Sequence, residues 1–522
     1  MAKKLMQLNF FENTSCGNAS CQGQWKNPLD KASTKDRAQY YINLAKLAEK
    51  GKITCVFFTD SYGSHEVYEK SIAATLAGGG HVGHLDPVVY IAPMALATES
   101  VGFAVTATSS YLNPYTMART WSSLDHVTDG RIGWNVVTSF SDSGAKAMGL
   151  DKIIPHDERY EKADEFMDVL YDLWEGSWED GAQAFDVENE IAYDPKKIRK
   201  IEHKGKYYQM SAYHPTHPSP QRTPVIFQAG ASKAGMAFAG KHAEALFVAG
   251  PTPAAVKKQV QTVREEANKM GRDGSAIKFF HGILPIIGRT VEEAQAKYEL
   301  AKSLAHSEGG MARFSGFTNL DLSQYPPDEP FEFKGEQSEA SIHGVIAMCK
   351  EIAGTQEDDG PWTPRKLGHM MALGGTGAVP VGTPEMVADE FERWMAEADI
   401  DGFNVMQVTS PTSYEDVVEL LVPELQRRGV YWMDYPVPGG SLRENITGIK
   451  GQKLVKEDHA AYPFKWNVRK ENGVSAWDAR QNGLEMAKAA AEAKSAGEPE
   501  PAAEKVPEVI AIREAAAEEI KV

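Results

Sequence analysis

Six polar side chains stand in or just after buried apolar runs, or where a helix begins, and they are the first candidates for binding chemistry. They are Asp60, Thr106, Asn135, His156, Tyr160 and Ser232. At the carboxyl ends of parallel strands such groups converge on one face of a barrel. A carboxylate, an amide and hydroxyls supply hydrogen bonds to a polar ligand there, and a helix N-terminus suits its phosphate.

The first three residues each have a structural alternative. Asp60 follows the run at residues 56–59, and a helix cap or loop carboxylate would also stand there. Thr106 lies near the end of a Thr/Ser-rich strand at residues 105–110, but threonine is a common strand residue in any case. Asn135 is a buried amide that needs partners, either on a ligand or on another strand.

The other three residues belong to predicted helix starts. His156 and Tyr160 are four residues apart, so they share one helix face near the positive end of the helix dipole. A histidine alone is more often structural. Ser232 follows the turn at Gly230, where backbone amides can approach a phosphate. Serine is also a favoured N-cap, and both roles can hold together.

Eight apolar runs rich in β-branched and aromatic residues predict the strands that position these groups. They are residues 4–10, 53–59, 101–108, 132–138, 225–228, 245–248, 278–287 and 402–408. Helical patterns separate most of them, and Asn113-Pro114, Thr252-Pro253 and Thr383-Pro384 are typical helix starts. This alternation predicts an α/β fold, a (β/α)8 TIM barrel with long insertions.

Residues 131–160 carry a family resemblance. Its pattern has three parts: Gly133-Trp134-Asn135, the turn Ala147-Met148-Gly149-Leu150-Asp151 and the helix start His156-Asp157-Glu158-Arg159-Tyr160. The segment resembles the flavin-dependent monooxygenases of the bacterial luciferase superfamily, in the branch of nitrilotriacetate monooxygenase component A. The likeness extends over about residues 5–429 and is strongest at residues 60–160 and around residues 228–232.

The resemblance implies a cofactor, a reaction and partners. The six candidate residues would contact FMN, which a separate NAD(P)H-dependent flavin reductase supplies in reduced form. A flavin hydroperoxide would then oxygenate a small organic substrate. Because the cofactor would carry out the oxygen transfer, no catalytic residue is assigned. The few cysteines and the lack of a secretory signal predict a cytoplasmic protein, and a homodimer or homotetramer is the expected assembly. A deazaflavin-dependent oxidoreductase of the same superfamily and a non-catalytic flavin-binding protein remain as alternatives.

Composition and missing motifs narrow the remaining classes. The net charge of −17 over 522 residues argues against a general nucleic-acid binder, and no apolar run is long enough to span a membrane. Cys16 and Cys21 have no second Cys/His pair, so no metal site is expected. Gly-x-Ser-x-Gly, the phosphate loop and His-Glu-x-x-His are absent, and no dinucleotide fingerprint follows the first strand.

The predicted domain organisation is a barrel at residues 1–435 and an extension at 436–522 that is partly helical or disordered. Insertions at about 178–221 and 306–380 interrupt the barrel, and the second is a candidate lid. Arg313 and Arg365 in that insertion could pair with a substrate carboxylate, although exposed salt bridges are the commoner role of such residues. Substrate identity stays open.

Overall fold

Eight parallel strands close a barrel in chain order. The computed structural model describes residues 4–80, 83–331 and 361–472. The barrel strands are β1 (Gln7–Glu12), β2 (Cys55–Phe58), β3 (Gly102–Thr108), β4 (Ile132–Val137), β5 (Val225–Gln228), β6 (Ala245–Val248), β7 (Lys278–Ile283) and β8 (Gly402–Val405). Each pairs with its successor, and β8 pairs with β1. The predicted TIM barrel is therefore confirmed.

Helices connect the strands and surround the barrel. They are α1 (Ala38–Lys50), α2 (Ala73–Gly78), α3 (Val88–Leu96), α4 (Pro114–Val127), α5 (Asp142–Ala147), α6 (His156–Tyr171), α7 (Lys233–His242), α8 (Pro253–Lys269), α9 (Val291–Leu304), α10 (Ser307–Thr318), α11 (Pro364–Ala372), α12 (Pro384–Ala398), α13 (Thr412–Asp416), α14 (Val422–Arg427), α15 (Leu442–Thr447) and α16 (Trp466–Asn472). The predicted cap Asn113 accepts hydrogen bonds from the Tyr115 and Thr116 backbone amides, and Thr252 and Thr383 cap α8 and α12 in the same way.

The seventh strand is shorter than predicted. The expected strand at residues 278–287 divides into β7 and a two-residue strand, Ile286–Ile287. Pro285 has no backbone N–H to donate and stands between the two. Ile286 and Ile287 leave the barrel and pair in parallel with Val381–Gly382, so the single strand of the prediction is wrong.

Both insertions carry secondary structure. Within residues 178–221, Gln183–Asp186 pairs with Ile191–Tyr193, and Ile201–Lys204 pairs with Gln209–Ala212, both antiparallel. Within residues 306–380, α10 packs closely against α11 and α2. Residues 332–360 of that insertion lie outside the described residues, so the lid hypothesis stays a prediction.

Helix α15 fills the amino-terminal end of the barrel. Leu442 and Ile446 join the buried cluster of Cys55, Ala104, Val225, Phe227, Ala245 and Phe280. A Cβ added at Gly133 would lie 3.1 Å from a Leu442 methyl group, so glycine there leaves room for the leucine. The chain divides into two compact units, Met1–Trp466 and Asn467–Val522, and α15 belongs to the first. The predicted division at residue 435 remains a prediction.

Candidate active site

A cavity of about 870 Å³ opens at the carboxyl ends of the barrel strands. Five of the six predicted residues line it: Asp60, Thr106, His156, Tyr160 and Ser232. They come from the segments that follow β2, β4 and β5 and from β3 itself, so the barrel brings together groups that are far apart in the chain. Asn135 does not line the cavity.

Tyr160 and Ser232 form one corner of the cavity, where α6 and α7 begin. The Ser232 hydroxyl accepts a hydrogen bond from the Gly235 backbone N–H at 3.1 Å, so it caps α7 and keeps its own proton to donate. A Cβ added at Gly230 or Gly235 would lie 2.8 Å from the Tyr160 hydroxyl oxygen, closer than a Cβ approaches another heavy atom in real structures. The glycines therefore allow the tyrosine to reach the start of α7.

The chemistry of this corner suits an anion. Burial raises the pKa of Tyr160, although hydrogen bonding with Ser232 and Thr138 works in the opposite direction, so the phenol is neutral and can donate. The N-terminus of α6 has no side-chain cap, which leaves its first backbone N–H groups available. The rings of His156 and Tyr160 are 5.3 Å apart, as their shared helix face predicts.

Two cations at this corner were not among the predicted residues. Arg159 and Lys233 also line the cavity. Arg159 donates from Nη1 to the Ser139 carbonyl, and its Nε is buried without a partner. Burial lowers the pKa of Arg159, but a guanidinium stays charged in a protein. The signal was present in the sequence, because Arg159 lies inside the His156–Tyr160 helix start.

Thr106 and Asn135 form a buried chain of hydrogen bonds across three strands. Asn135 donates from Nδ2 to the Thr106 hydroxyl at 2.9 Å, and Thr106 donates to the Phe58 carbonyl at 2.7 Å. This is the inter-strand arrangement that the sequence left open for Asn135. The Asn135 Oδ1 is buried and has no hydrogen-bond partner. This series of hydrogen bonds therefore includes one unused acceptor beside the cavity wall.

Asp60 lies in a more polar part of the wall. It accepts a hydrogen bond from the Ser61 backbone N–H at 2.9 Å, and His84 Nε2 lies 3.6 Å from its Oδ1. Burial raises the pKa of the Asp60 carboxyl, while the His84 charge lowers it. Burial also raises the pKa of the neighbouring Tyr62 to about 12. The cavity thus places acid and phenol groups beside largely apolar walls.

These features define a class of protein before any comparison. The fold is a (β/α)8 barrel, and the cavity combines the polar Tyr160–Ser232 corner, after β4 and β5, with a wide apolar space. That corner has two hydroxyls, two cations and helix N-termini, which fit the phosphate of a cofactor such as FMN. The site is that of a cofactor-dependent barrel enzyme.

Comparison with known proteins specifies the class. Residues 21–402 match the family model of luciferase-like monooxygenases, and the chain belongs to this family. It is 40% identical over 465 residues to the long-chain alkane monooxygenase of Geobacillus thermodenitrificans, which covers 89% of this chain and 99% of that protein. The family predicted from residues 131–160 is confirmed.

Two further relatives bear on the branch and the cofactor. Nitrilotriacetate monooxygenase component A of Aminobacter aminovorans is 34% identical over 85% of this chain and 97% of its own length. The crystal structure of a riboflavin lyase with modified FMN and riboflavin has a TM-score of 0.80 at 34% identity, and the match covers 88% of this chain and all of that one.

The described residues offer neither a cluster of metal ligands nor a membrane-spanning helix. Residues 4–80, 83–331 and 361–472 contain no group of three His, Cys, Asp or Glu side chains that could hold a metal ion. The helices in the same ranges are too short or too polar to cross a bilayer. Cys16, Cys21 and Cys55 are free thiols.

Proposed function

We propose that this chain binds reduced FMN and uses molecular oxygen to oxygenate a small organic substrate. The observation that carries the proposal is the corner formed by Tyr160, Ser232 and the uncapped start of α6, which lies in the same cavity as a broad apolar surface. A phosphate has partners in that corner, and a substrate has room beside it.

The residues of the chain have defined tasks in this proposal. Ser232, Tyr160 and Arg159 bind the phosphate, because hydroxyls and a guanidinium are strong donors to an anion. Asp60 and Thr106 lie along the cavity wall, where they would orient the ring system. FMN, once bound, supplies the chemistry of oxygen activation. The reduced cofactor would supply two electrons and two protons and the substrate the other two electrons, so that one oxygen atom would enter the substrate and the other would leave as water.

Water exclusion is the second task of the protein. Phe11 stacks on Phe57 and Phe247 with ring centroids 5.8 and 5.2 Å apart, and Leu246 and Met406 also line the cavity. Such walls keep bulk water from the reacting centre and prevent wasteful reduction of oxygen.

The proposal includes a second protein. Since a related enzyme is named as component A of its system, a separate NAD(P)H-dependent flavin reductase is expected to supply reduced FMN here. A cytoplasmic homodimer or homotetramer remains the expected assembly.

The decisive experiment measures incorporation of ¹⁸O₂. The full chain is mixed with FMN, NADH, a flavin reductase and a substrate panel that includes a long-chain alkane and nitrilotriacetate. We expect one panel compound to gain a single ¹⁸O atom only when this chain is present, with reductase alone as the control. Tight FMN binding without label in any compound would favour the non-catalytic flavin-binding alternative, and absence of FMN binding would overturn the proposal.

A further inference from the structure

Arg313 lies in the wall of the cavity, on the far side from the Tyr160–Ser232 corner. It belongs to α10, and Phe317 and Met371 line the same wall. Its hydrogen-bond partners follow β1 and β7 in the chain, whereas the corner follows β4 and β5. In the closed strand order these two groups of strands are about half a barrel apart, so Arg313 faces the space that a bound FMN phosphate would leave free.

The guanidinium of Arg313 is only partly used by the protein. Nη1 donates to the Ser20 carbonyl at 2.9 Å and to the Met371 carbonyl at 3.1 Å. Nε is buried without a partner. The guanidinium carbon lies 5.6 Å from the ring centroid of Phe317. The side chain is half-buried, and Nη1 is its one nitrogen with acceptors among the described residues, so the guanidinium retains donors for the cavity that it lines.

Arg313 also has no counter-charge among the residues that the structure describes. None of their carboxylates forms a salt bridge with it. Cys21 is close enough to interact, but burial raises the pKa of its thiol to about 12, despite the opposing effect of Arg313. The thiol is neutral at physiological pH. A buried, unpaired charge is costly, and an anionic ligand would offset that cost.

Other arginines show what a structural role looks like in this protein. Arg365 forms an exposed pair with Asp328, with N···O distances of 2.6 and 3.0 Å. Arg131 donates to Thr128, Thr98, Val101 and Ala95 through all three of its nitrogens. Arg443 is buried against the carboxylate of Glu244. Arg313 matches none of these patterns, and it lines the cavity, which these three arginines do not.

We propose that Arg313 selects substrates that carry an oxyanion group, a carboxylate or a sulfonate, on an apolar body. The planar guanidinium binds such a group through paired hydrogen bonds. The apolar body lies against Phe11, Phe317, Met371 and Met406, which line the same cavity. This inference rests on the proposed function, since it names the substrate class of the same site.

The test compares ligands that differ only in charge. Binding of octanoate and octane-1-sulfonate to the full-length, FMN-loaded protein is measured by calorimetry beside octanamide and 1-octanol. We expect the anions to bind about 10- to 100-fold more tightly. Arg313→Met should abolish this preference and leave FMN affinity unchanged, and Arg313→Lys should keep part of it. Arg365→Met is the matched control and should behave as the wild type.

Several outcomes would overturn the inference. Equal affinity of the wild type for anionic and neutral ligands is one, and it does not depend on the folding of any variant. An undiminished preference in Arg313→Met is another. A loss of FMN affinity in Arg313→Met equal to the loss for the anions would make Arg313 a cofactor contact instead. The calorimetry of anionic and neutral ligands is repeated without FMN. The anion preference is then measured even if FMN does not bind, so a failure of this inference can be told apart from a failure of the proposed function.

Discussion

At the scale of single residues, the site depends on groups that do two things at once. Ser232 caps α7 through its oxygen, which leaves its hydroxyl proton for another acceptor. Thr106 accepts from Asn135 and donates to Phe58, so its hydroxyl is held in one orientation. Such double use fixes side chains in place before a ligand arrives, which reduces the entropy lost on binding.

Ser232→Ala is predicted to weaken FMN binding about tenfold, because a hydrogen bond to a charged phosphate is lost. Flavin fluorescence titration measures the dissociation constant. The substitution also removes a helix cap, so Thr290→Ala is the matched control: Thr290 caps α9 by accepting from the Glu293 backbone N–H at 3.2 Å. Both variants should lose about 1 kcal/mol of stability, and only Ser232→Ala should lose affinity. Unchanged FMN affinity would refute the phosphate assignment.

At the scale of elements, the amino-terminal end of the barrel is closed by a helix from beyond the last barrel strand. Ser441 and Glu444 form a capping box at the start of α15, which stabilises a helix of six residues that would not persist alone. Leu442 and Ile446 then reach the core between the barrel strands. The element is held by tertiary packing as much as by its own sequence.

Leu442→Ala is predicted to destabilise the protein by about 2–5 kcal/mol, because the buried methyl groups leave a cavity that the strands around it cannot close. Denaturant unfolding measures the change. Ile449→Ala is the control, since Ile449 is 51% exposed and should change stability by less than about 1 kcal/mol. Similar losses in both variants would show that α15 does not contribute to the core as described.

At the scale of the whole molecule, one buried ion pair joins α15 to the barrel. Arg443 Nε lies 2.7 Å from Glu244 Oε2, and Arg443 also donates to the Thr223 carbonyl at 2.8 Å. Burial alone would raise the pKa of Glu244, but the adjacent Arg443 outweighs it and the pKa falls to about 2. The pair therefore links the stability of the fold to pH.

The sign of this linkage is fixed by the direction of the shift. A carboxyl with a depressed folded pKa stabilises the protein above its unfolded pKa of 4.5 and loses that contribution as the pH falls towards 2. The contribution is of the order of 3 kcal/mol. We predict that wild-type stability falls more steeply below pH 4.5 than that of Glu244→Gln, measured by urea unfolding at a series of pH values. The control is Glu419→Gln, which removes an exposed pair with Lys50; its stability should vary with pH as that of the wild type does. If the stability of Glu244→Gln also varied with pH as the wild type does, the role of the Arg443–Glu244 pair would be contradicted.

Local signals explain what could be predicted. The eight apolar runs and the caps at Asn113, Thr252 and Thr383 each depend on a few neighbouring residues, so they could be predicted from the sequence without knowledge of the fold. Five of the six candidate residues line one cavity, because strand ends in a parallel barrel meet on one face, and their contact with FMN stays a prediction. The exceptions have physical reasons: Asn135 bonds to the adjacent strand, and Pro285 ends β7 early.

The amino-acid sequence by itself determined the order of the eight barrel strands, though not the end of β7, and the helix starts, the barrel and the family to which the chain belongs. Only the tertiary structure decided that Arg313 lines the cavity and that α15 fills the amino-terminal end of the barrel. These depend on contacts between segments far apart in the chain, such as Leu442 with Gly133 or Arg313 with Ser20. No local pattern encodes such contacts, because each is set by how the closed barrel places its loops.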